Sequence, residues 1–404
     1  MTRHITTEIS RLAAAPKVVV IGGGYSGTLA ANHLRMRGNW QMPDITLVNP
    51  RPKFVERIRL HQHVAGNYDA TVDYGSLLGD GIKLVVDTAT CIDTSTRTVK
   101  LASGPALDYD YVIYAVGSTG VVPASVPGAA EFAYPIAELE QAQRLRAALD
   151  ELHPDAPVTV VGAGLTGIEA ATELAEQGRK VTLVCGGRLG PTLSVPGRRS
   201  VAKTLARLRI AVLETDLVTE VRPDAVVFED GAVRPSAVTV WTAGFGVPDL
   251  AAASGLRTDS IGRLLTDETL TSVDDPRVIA AGDCASPSGE PLRMCCASAS
   301  QLAPQAANTV LSRIAGTAPA RFEYGIPAQC ISLGRRAGIL QLGRMNDTAV
   351  NLYFSGRLTA KIKEAICKGT LWGMRREARK PGSTFWFKGG PRPTEVAPEV
   401  VTKA

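Results

Sequence analysis

Two six-residue turns have the residue types and spacing to do chemistry: Gly22-Gly23-Gly24-Tyr25-Ser26-Gly27 and Gly162-Ala163-Gly164-Leu165-Thr166-Gly167. Each follows a β-branched run, Lys17 to Ile21 and Val158 to Val161, and each leads into an Ala- and Leu-rich helical stretch. In a strand–turn–helix unit of this kind, Gly22 and Gly162 allow the tight turn, and Gly24 and Gly164 let a phosphate approach the backbone. Gly27 and Gly167 let the helix pack closely on its strand. Backbone N–H groups and the helix N-terminus then point at a pyrophosphate. A second strand closes each unit, Asp44 to Asn49 in the first and Lys180 to Val184 in the second. The spacing is that of a dinucleotide-binding βαβ unit, and two such units in one chain imply two dinucleotides.

The end of the second strand is where a carboxylate usually accepts hydrogen bonds from ribose hydroxyls, and neither unit has one there. The first unit carries Asn49, whose amide can hydrogen-bond a ribose without repelling a phosphate. The second carries Cys185, then Gly186, Gly187 and Arg188, with Arg198 and Arg199 farther on. A missing carboxylate with a guanidinium nearby favours NADPH over NADH. Solvated loop charges are the alternative reading of these arginines.

The elements that must position these turns fill a chain of 404 residues, which is too long for one core and suits two or three domains. With 45% hydrophobic and 21% charged residues the composition is globular. A net charge of +5 without a dense basic block excludes nucleic acid as an expected partner. Seven scattered cysteines with no zinc spacing and no C-x-x-C pair favour a reducing cytosol and no metal. No run reaches the ~18 apolar residues of a spanning helix, so any membrane contact is expected to be peripheral. Short strands between about Leu84 and Asp110, and again between Ala211 and Val240, read as a small β-meander appended to each unit.

Further motifs follow in order. Tyr111 to Ser118 reads Y-V-I-Y-A-V-G-S, Thr239 to Phe245 reads T-V-W-T-A-G-F, and Val278 to Ala285 reads V-I-A-A-G-D-C-A. With the two glycine turns, this set makes the chain resemble the two-dinucleotide-binding-domain flavoprotein oxidoreductases over roughly Lys17 to Gln341. Within them it is most similar to the type II NADH dehydrogenase (NADH:quinone oxidoreductase) branch. The resemblance implies an α/β fold with two Rossmann-like three-layer domains of the glutathione-reductase kind, plus a small C-terminal α+β region. It implies FAD at the first turn, held by Gly22, Gly24, Tyr25, Ser26, Gly27 and Asn49, with Arg57, Ala115, Gly117 and Gly244 lining the flavin and Asp283 on the ribityl chain. NADPH or NADH would sit on Gly162, Gly164, Leu165, Thr166, Gly167 and Arg188. Thr166-Gly167-Ile168-Glu169 resembles the branch's T-G-V-E, whose Glu lies near the nicotinamide and flavin. Ser300 to Gln305 is similar to the helix lining the quinone site, which makes Glu169, Gln301 and Gln305 the expected catalytic residues. A helix-dipole charge for Glu169 and ordinary helix surface for the glutamines are the plain alternatives.

The resemblance places the domains as a flexible leader 1–16, FAD-binding parts 17–130 and 266–317, an NAD(P)H-binding domain 131–265, a C-terminal domain 318–390 and a flexible tail 391–404. The branch ends in amphipathic membrane-surface helices. Here residues 357–380 set Leu358, Ile362, Ala365, Ile366 and Trp372 among many basic residues, which suits either a peripheral contact on the inner face of a membrane or a helix packed on its own domain or dimer. The cytoplasm, and a monomer or homodimer, are the expected setting. The paired cysteines of the disulfide branches have no counterpart, and the vicinal Cys295-Cys296 reads as buried packing. His61 and His63 with Glu56 and Arg57 read as flavin-side residues and not a metal cluster. A quinone-like acceptor is the first expectation. Rivals are an NAD(P)H oxidase, a reductase of a tailoring substrate or of an acidic ferredoxin met by Arg335, Arg336 and Arg344, and a flavoprotein acting through partners, like the apoptosis-inducing-factor relatives.

Overall fold

The computed structural model describes residues 14–390, so the tail expected at 391–404 and most of the leader lie outside the described residues. The first β-branched run forms the centre of a five-stranded parallel sheet in the order Val278–Ala280, Tyr111–Tyr114, Lys17–Ile21, Asp44–Asn49, Ile82–Val86. The second run forms the centre of another, in the order Ala133–Pro135, Val238–Trp241, Pro157–Val161, Lys180–Val184, Ala211–Leu213. Parallel strands covered on both faces need continuous apolar runs. Val18, Val20, Val158 and Val160 are fully buried, as that requires.

The meanders start later than the sequence suggests. Ile82–Val86 and Ala211–Leu213 are the outer strands of the two parallel sheets, and the antiparallel meanders comprise 89–93, 98–101 and 106–108 in one case and 218–221, 225–228 and 233–235 in the other. Short apolar strands have the same local signature in either role, so only the sheet they join separates them.

Two connections tie the units together. Thr119–Gly120 pairs antiparallel with Phe245–Gly246. The 19-residue helix Cys296–Ile314 returns to pack on the Tyr25–His33 helix within one core. The C-terminal region is a three-stranded antiparallel sheet, Ala328–Ser332, Gly338–Gly343 and Ala349–Gly356, followed by the helix Arg357–Arg379. Ile331, Leu333 and Ile339 of that sheet join the core of the second unit, while Leu371 and Met374 of the helix join the core of the first. The C-terminal region therefore bridges both units.

Candidate functional site

The two glycine turns are built alike. Gly22 (φ +101°) and Gly162 (φ +103°) take a backbone conformation that L side chains rarely adopt, and each donates its N–H across to the neighbouring strand, to Val48 and Val184, at 2.8 Å. A Cβ on Gly27 would stand 1.8 Å from the Gly22 carbonyl, and one on Gly167 1.8 Å from the Gly162 carbonyl, so no larger residue fits either place. At Gly24 and Gly164 the opposite holds, since a Cβ there would meet nothing within 4 Å. These two glycines cap the N-termini of the Tyr25–His33 and Leu165–Glu176 helices without any side-chain hydrogen bond. Open space, uncapped N–H groups and a helix N-terminus coincide at both turns, which is the arrangement a pyrophosphate requires.

Around the first turn the side chains converge. Gly282 (φ +85°) brings its chain so close to the first helix that a Cβ there would lie 2.3 Å from Ser26 Oγ. The next residue, Asp283, accepts a hydrogen bond from Ser118 Oγ at 2.7 Å through Oδ2, while its buried Oδ1 has no partner. Burial, opposed by Ser118 and Arg57, pushes this carboxyl above the usual range. Arg57 donates to the carbonyls of Ala137 at 2.9 Å and Ser118 at 2.7 Å, and Gly117 (φ +74°) and Ala115 pass beside it and the first turn. Burial pulls the Arg57 guanidinium down and Asp283 opposes it. The unsatisfied Asp283 oxygen and the free approach at Gly24 fit a flavin dinucleotide bound with its pyrophosphate on the turn and its ribityl hydroxyls toward Asp283.

Asn49 braces the first turn. Its Oδ1 accepts from Gly23 N–H at 2.9 Å and its Nδ2 donates to the Arg51 carbonyl at 2.7 Å. Tyr74 Oη assists by donating to the Gly23 carbonyl at 2.6 Å. In the second unit Arg188 is exposed in the loop after the Lys180–Val184 strand, with Gly244 (φ +95°) near the crossover. Glu214 and Asp216 lie beside Cys185, where burial first and these carboxylates second push the thiol up to about 12.

Glu169 is buried, yet it does not act as a simple helix-dipole charge. Its Oε1 lies 2.9 Å from Lys363 Nζ and accepts from Ser332 N–H at 2.9 Å, and its Oε2 lies 3.8 Å from His61 Nδ1. Burial works against its charge, but Lys363 and the Ser332 N–H outweigh it and hold the carboxyl below the usual range. Burial lowers His61 to about 4, so its ring is neutral at neutral pH, and its buried Nε2 has no partner. Lys363 also donates to the Cys330 carbonyl at 3.0 Å. Behind this group lies a second one: Arg59 is bound by both oxygens of Glu364 at 3.0 Å and stacks over Tyr68 at 4.3 Å. Hence Glu56 and His61 face Tyr68 and Glu169, and His63 points away to the Tyr68 carbonyl at 3.2 Å.

Sequence reasoning missed Lys363, Ser332, Arg59 and Glu364. For Lys363 a signal exists. Spacing of four, four, three and four residues puts Lys363, Cys367, Leu371, Met374 and Ala378 on one stripe of the helix, and the last four are buried. A lysine on an apolar stripe needs an anionic partner.

One turn along its helix from Glu169, Glu173 is wholly buried, accepts from Asn67 Nδ2 at 2.9 Å and lies 3.6 Å from Arg335. Burial outweighs both partners and pushes its carboxyl up to about 7. An acid with a raised native pKa stabilises while it is protonated, and that advantage is lost as pH rises from the ordinary carboxylate range through about 7. Glu173→Gln is therefore expected to stabilise the protein by ~1–2 kcal/mol at pH 8 and hardly at all at pH 5.5. Urea unfolding at the two pH values checks this; equal gains at both would contradict it.

Gln301 and Gln305 lie one turn apart on the same face and are buried, but their amides serve the backbone. Gln301 exchanges both hydrogen bonds with Gly325, at 3.0 and 3.1 Å, and Gln305 donates to the Ala320 carbonyl at 2.7 Å. The pair fastens the 320–325 segment. The helix of residues 357–380 packs on the protein's own core through Cys367, Leu371 and Met374, while Leu358, Ile366 and Trp372 are exposed. Among the described residues no helix is long and apolar enough to cross a membrane.

Comparison with known proteins agrees with this geometry. The family model for pyridine nucleotide-disulphide oxidoreductases matches residues 16–309. An NADH dehydrogenase-like protein of Mycobacterium tuberculosis is 31% identical over 295 residues, covering 67% of this chain and 72% of that protein. The type II NADH:quinone oxidoreductase of Staphylococcus haemolyticus is 26% identical over 371 residues, covering 80% and 89%. Among solved structures, the sulfide:quinone oxidoreductase of Aquifex aeolicus aligns with a TM-score of 0.76 at 21% identity, over 91% of this chain and 93% of that one. NDH2 of Plasmodium falciparum in complex with NADH aligns at 0.73 and 16%, over 90% and 96%. With the motifs, the paired parallel sheets and these likenesses in agreement, the chain belongs to the pyridine nucleotide-disulphide oxidoreductase family, an NAD(P)H-dependent flavoprotein oxidoreductase by descent.

Proposed function

We propose that this protein oxidises NAD(P)H and passes the electrons through FAD to a quinone-like acceptor. The observation that carries this is the pair of matched turns, each with open space at its second glycine and an uncapped helix behind it, with Asp283 and its unpartnered oxygen next to Gly282, which packs against Ser26 of the first helix. Bound at the first turn, FAD would supply the two-electron relay between nicotinamide and acceptor. Gly22, Gly24 and Gly27 shape its pyrophosphate site, Asp283 holds its ribityl chain, and Arg57 and Ser118 fix Asp283. Gly162, Gly164, Leu165, Thr166 and Gly167 hold the nicotinamide dinucleotide. The acceptor reading draws support from the names of relatives such as the Staphylococcus haemolyticus enzyme and from the buried Glu169–Lys363 pair, a fixed carboxylate and ammonium that set the field where the units and the C-terminal region meet. Gln301 and Gln305 act as positioning residues that keep the 320–325 segment in place. Exposed Leu358, Ile366 and Trp372 among basic neighbours support a peripheral membrane contact.

Arg188 supports NADPH, and the carboxylates near Cys185 support NADH. Arg188→Ala is expected to lower kcat/KM for NADPH roughly 10- to 100-fold, the loss of one charge-assisted contact, and to leave NADH largely unchanged. A parallel fall for both nucleotides would show that Arg188 does not read the 2′-phosphate.

The test of the acceptor is stopped-flow reoxidation of the NADPH-reduced, anaerobic protein by a short-chain soluble quinone, set against reoxidation by air-saturated buffer. Much faster reoxidation by the quinone is expected. A rate no better than oxygen would remove the quinone and leave the oxidase or protein-reductase readings.

A further inference from the structure

A cleft of about 510 Å3 opens between the C-terminal sheet and the start of the C-terminal helix, and it is lined by Arg335, Arg336, Arg357, Lys361 and Lys363 against the single carboxylate of Glu364. That carboxylate is already taken, bound by Arg59 at 3.0 Å and by Arg335 at 3.2 Å. Lys363 is paired with Glu169, and Arg335 reaches toward Glu173 and Glu364. Among the described residues the side chains of Arg336, Arg357 and Lys361 show no hydrogen bond or ion pair, and all three are exposed at the rim. The volume suits a small molecule, since ligand sites commonly run from about 300 to 1,000 Å3.

The chemistry of the walls selects the molecule. Among the described residues Gly334 and Ala360 are the only apolar residues lining the cleft, and the rest of its carbon surface is the stems of Arg and Lys side chains, so a neutral ring would find contact there but no partner for the charged heads. An anionic group would meet three unpaired cations at the rim. The floor, Ser332 and Lys363, is also the pair that holds Glu169, so a molecule in the cleft sits beside that buried ion pair. Reduction of an acceptor adds negative charge, which fixed cations stabilise.

We infer that this cleft binds the electron acceptor and that the acceptor is anionic: a small oxidant, quinone-like, carrying a carboxylate or comparable group held by Arg336, Arg357 and Lys361. This rests on the acceptor reading above and narrows its class. The reaction balances with NAD(P)H as the reductant: the hydride it gives up accounts for two electrons and one proton, solvent supplies the second proton, and the quinone becomes its quinol. The anionic group takes no part in that change.

The test uses one ubiquinone-type ring bearing a short methylene chain that ends in a carboxylate, and the same compound as its methyl ester, so that ring potential is held constant. Isothermal titration of each into the oxidised, flavin-loaded protein, without NAD(P)H, reads binding apart from turnover. The carboxylate is expected to bind about 10-fold or more tighter than the ester, as charged contacts do. In Arg336→Gln/Lys361→Gln protein, whose visible flavin spectrum reports its folding, the preference is expected to collapse toward equality. Equal affinities in the unaltered protein, or a preference that survives the double change, would overturn the inference. Reoxidation kinetics with the same two compounds separate the underlying reading. If neither outpaces oxygen while the binding preference holds, the quinone acceptor falls and the anion site stands.

Discussion

Asp283→Ala is expected to purify as a folded protein with little or no flavin. Asp283 Oδ1 is buried without a partner, and its other oxygen is fixed by Ser118 beside Arg57, so the carboxylate is held ready for hydroxyl donors at no further ordering cost. Loss of a hydrogen bond to a charged group costs roughly 1.5–3 kcal/mol, or about 10- to 100-fold in the dissociation constant for FAD. The flavin-to-protein absorbance ratio and a titration of FAD into apoprotein measure it. Asp283→Asn keeps the shape and one acceptor oxygen and is expected to fall between the two. Stoichiometric flavin with unchanged affinity in the alanine variant would remove Asp283 from the site.

The second large effect concerns Glu169 and Lys363, whose side chains are 10% and 15% exposed. Glu169→Ala would leave a half-buried ammonium and the Ser332 N–H without their acceptor, at a cost of about 3–5 kcal/mol. Replacing both by apolar residues of similar volume, Glu169→Leu with Lys363→Met, is expected to recover most of that loss, because desolvation of the two charges offsets much of their attraction. Denaturant unfolding of the two single variants and the double variant measures the coupling; additive losses would contradict a direct pair. The pH dependence has a definite sign. Glu169 is held below its ordinary range, so its contribution is complete above that range and is lost only as pH falls through its depressed native value. Lys363 is raised, since Glu169 outweighs the lowering by burial, so its contribution is complete below its ordinary value and lost only as pH rises past that. The pair therefore stays charged throughout the neutral range, and reoxidation by quinone in the double variant is expected to slow while reduction by NAD(P)H does not.

Local spacing carried much of the first site. Gly22 to Gly27 and Gly162 to Gly167, the strands before them and the Gly282–Asp283 turn are read from short stretches whose backbone demands only glycine meets. Asn49, Gln301 and Gln305 show where local reading stops. Each amide satisfies backbone groups of Gly23, Gly325 or Ala320, and which carbonyl an amide will meet is a matter of tertiary geometry. Lys363 and Glu169 stand 194 positions apart in the chain, and Arg59 and Glu364 stand 305 apart, so nothing in either neighbourhood marks the other. The outer strands Ile82–Val86 and Ala211–Leu213 were hidden for the same reason: a run of three to five mostly apolar residues belongs equally well to a meander or to a parallel edge.

Gly24 and Gly164 supply the most direct test of two dinucleotides on two turns. Both have ordinary φ values, near −74° and −69°, and a Cβ at either would meet nothing within 4 Å. Gly24→Val and Gly164→Val proteins are therefore expected to fold, with only a bound pyrophosphate sensing the change. The measurement is anaerobic bleaching of the flavin absorbance by NADPH and by NADH. Gly24→Val should carry no flavin, and Gly164→Val should retain its flavin yet bleach far more slowly with either nucleotide while dithionite still bleaches it fully. Bleaching of Gly164→Val at the rate of the unaltered protein would contradict the account.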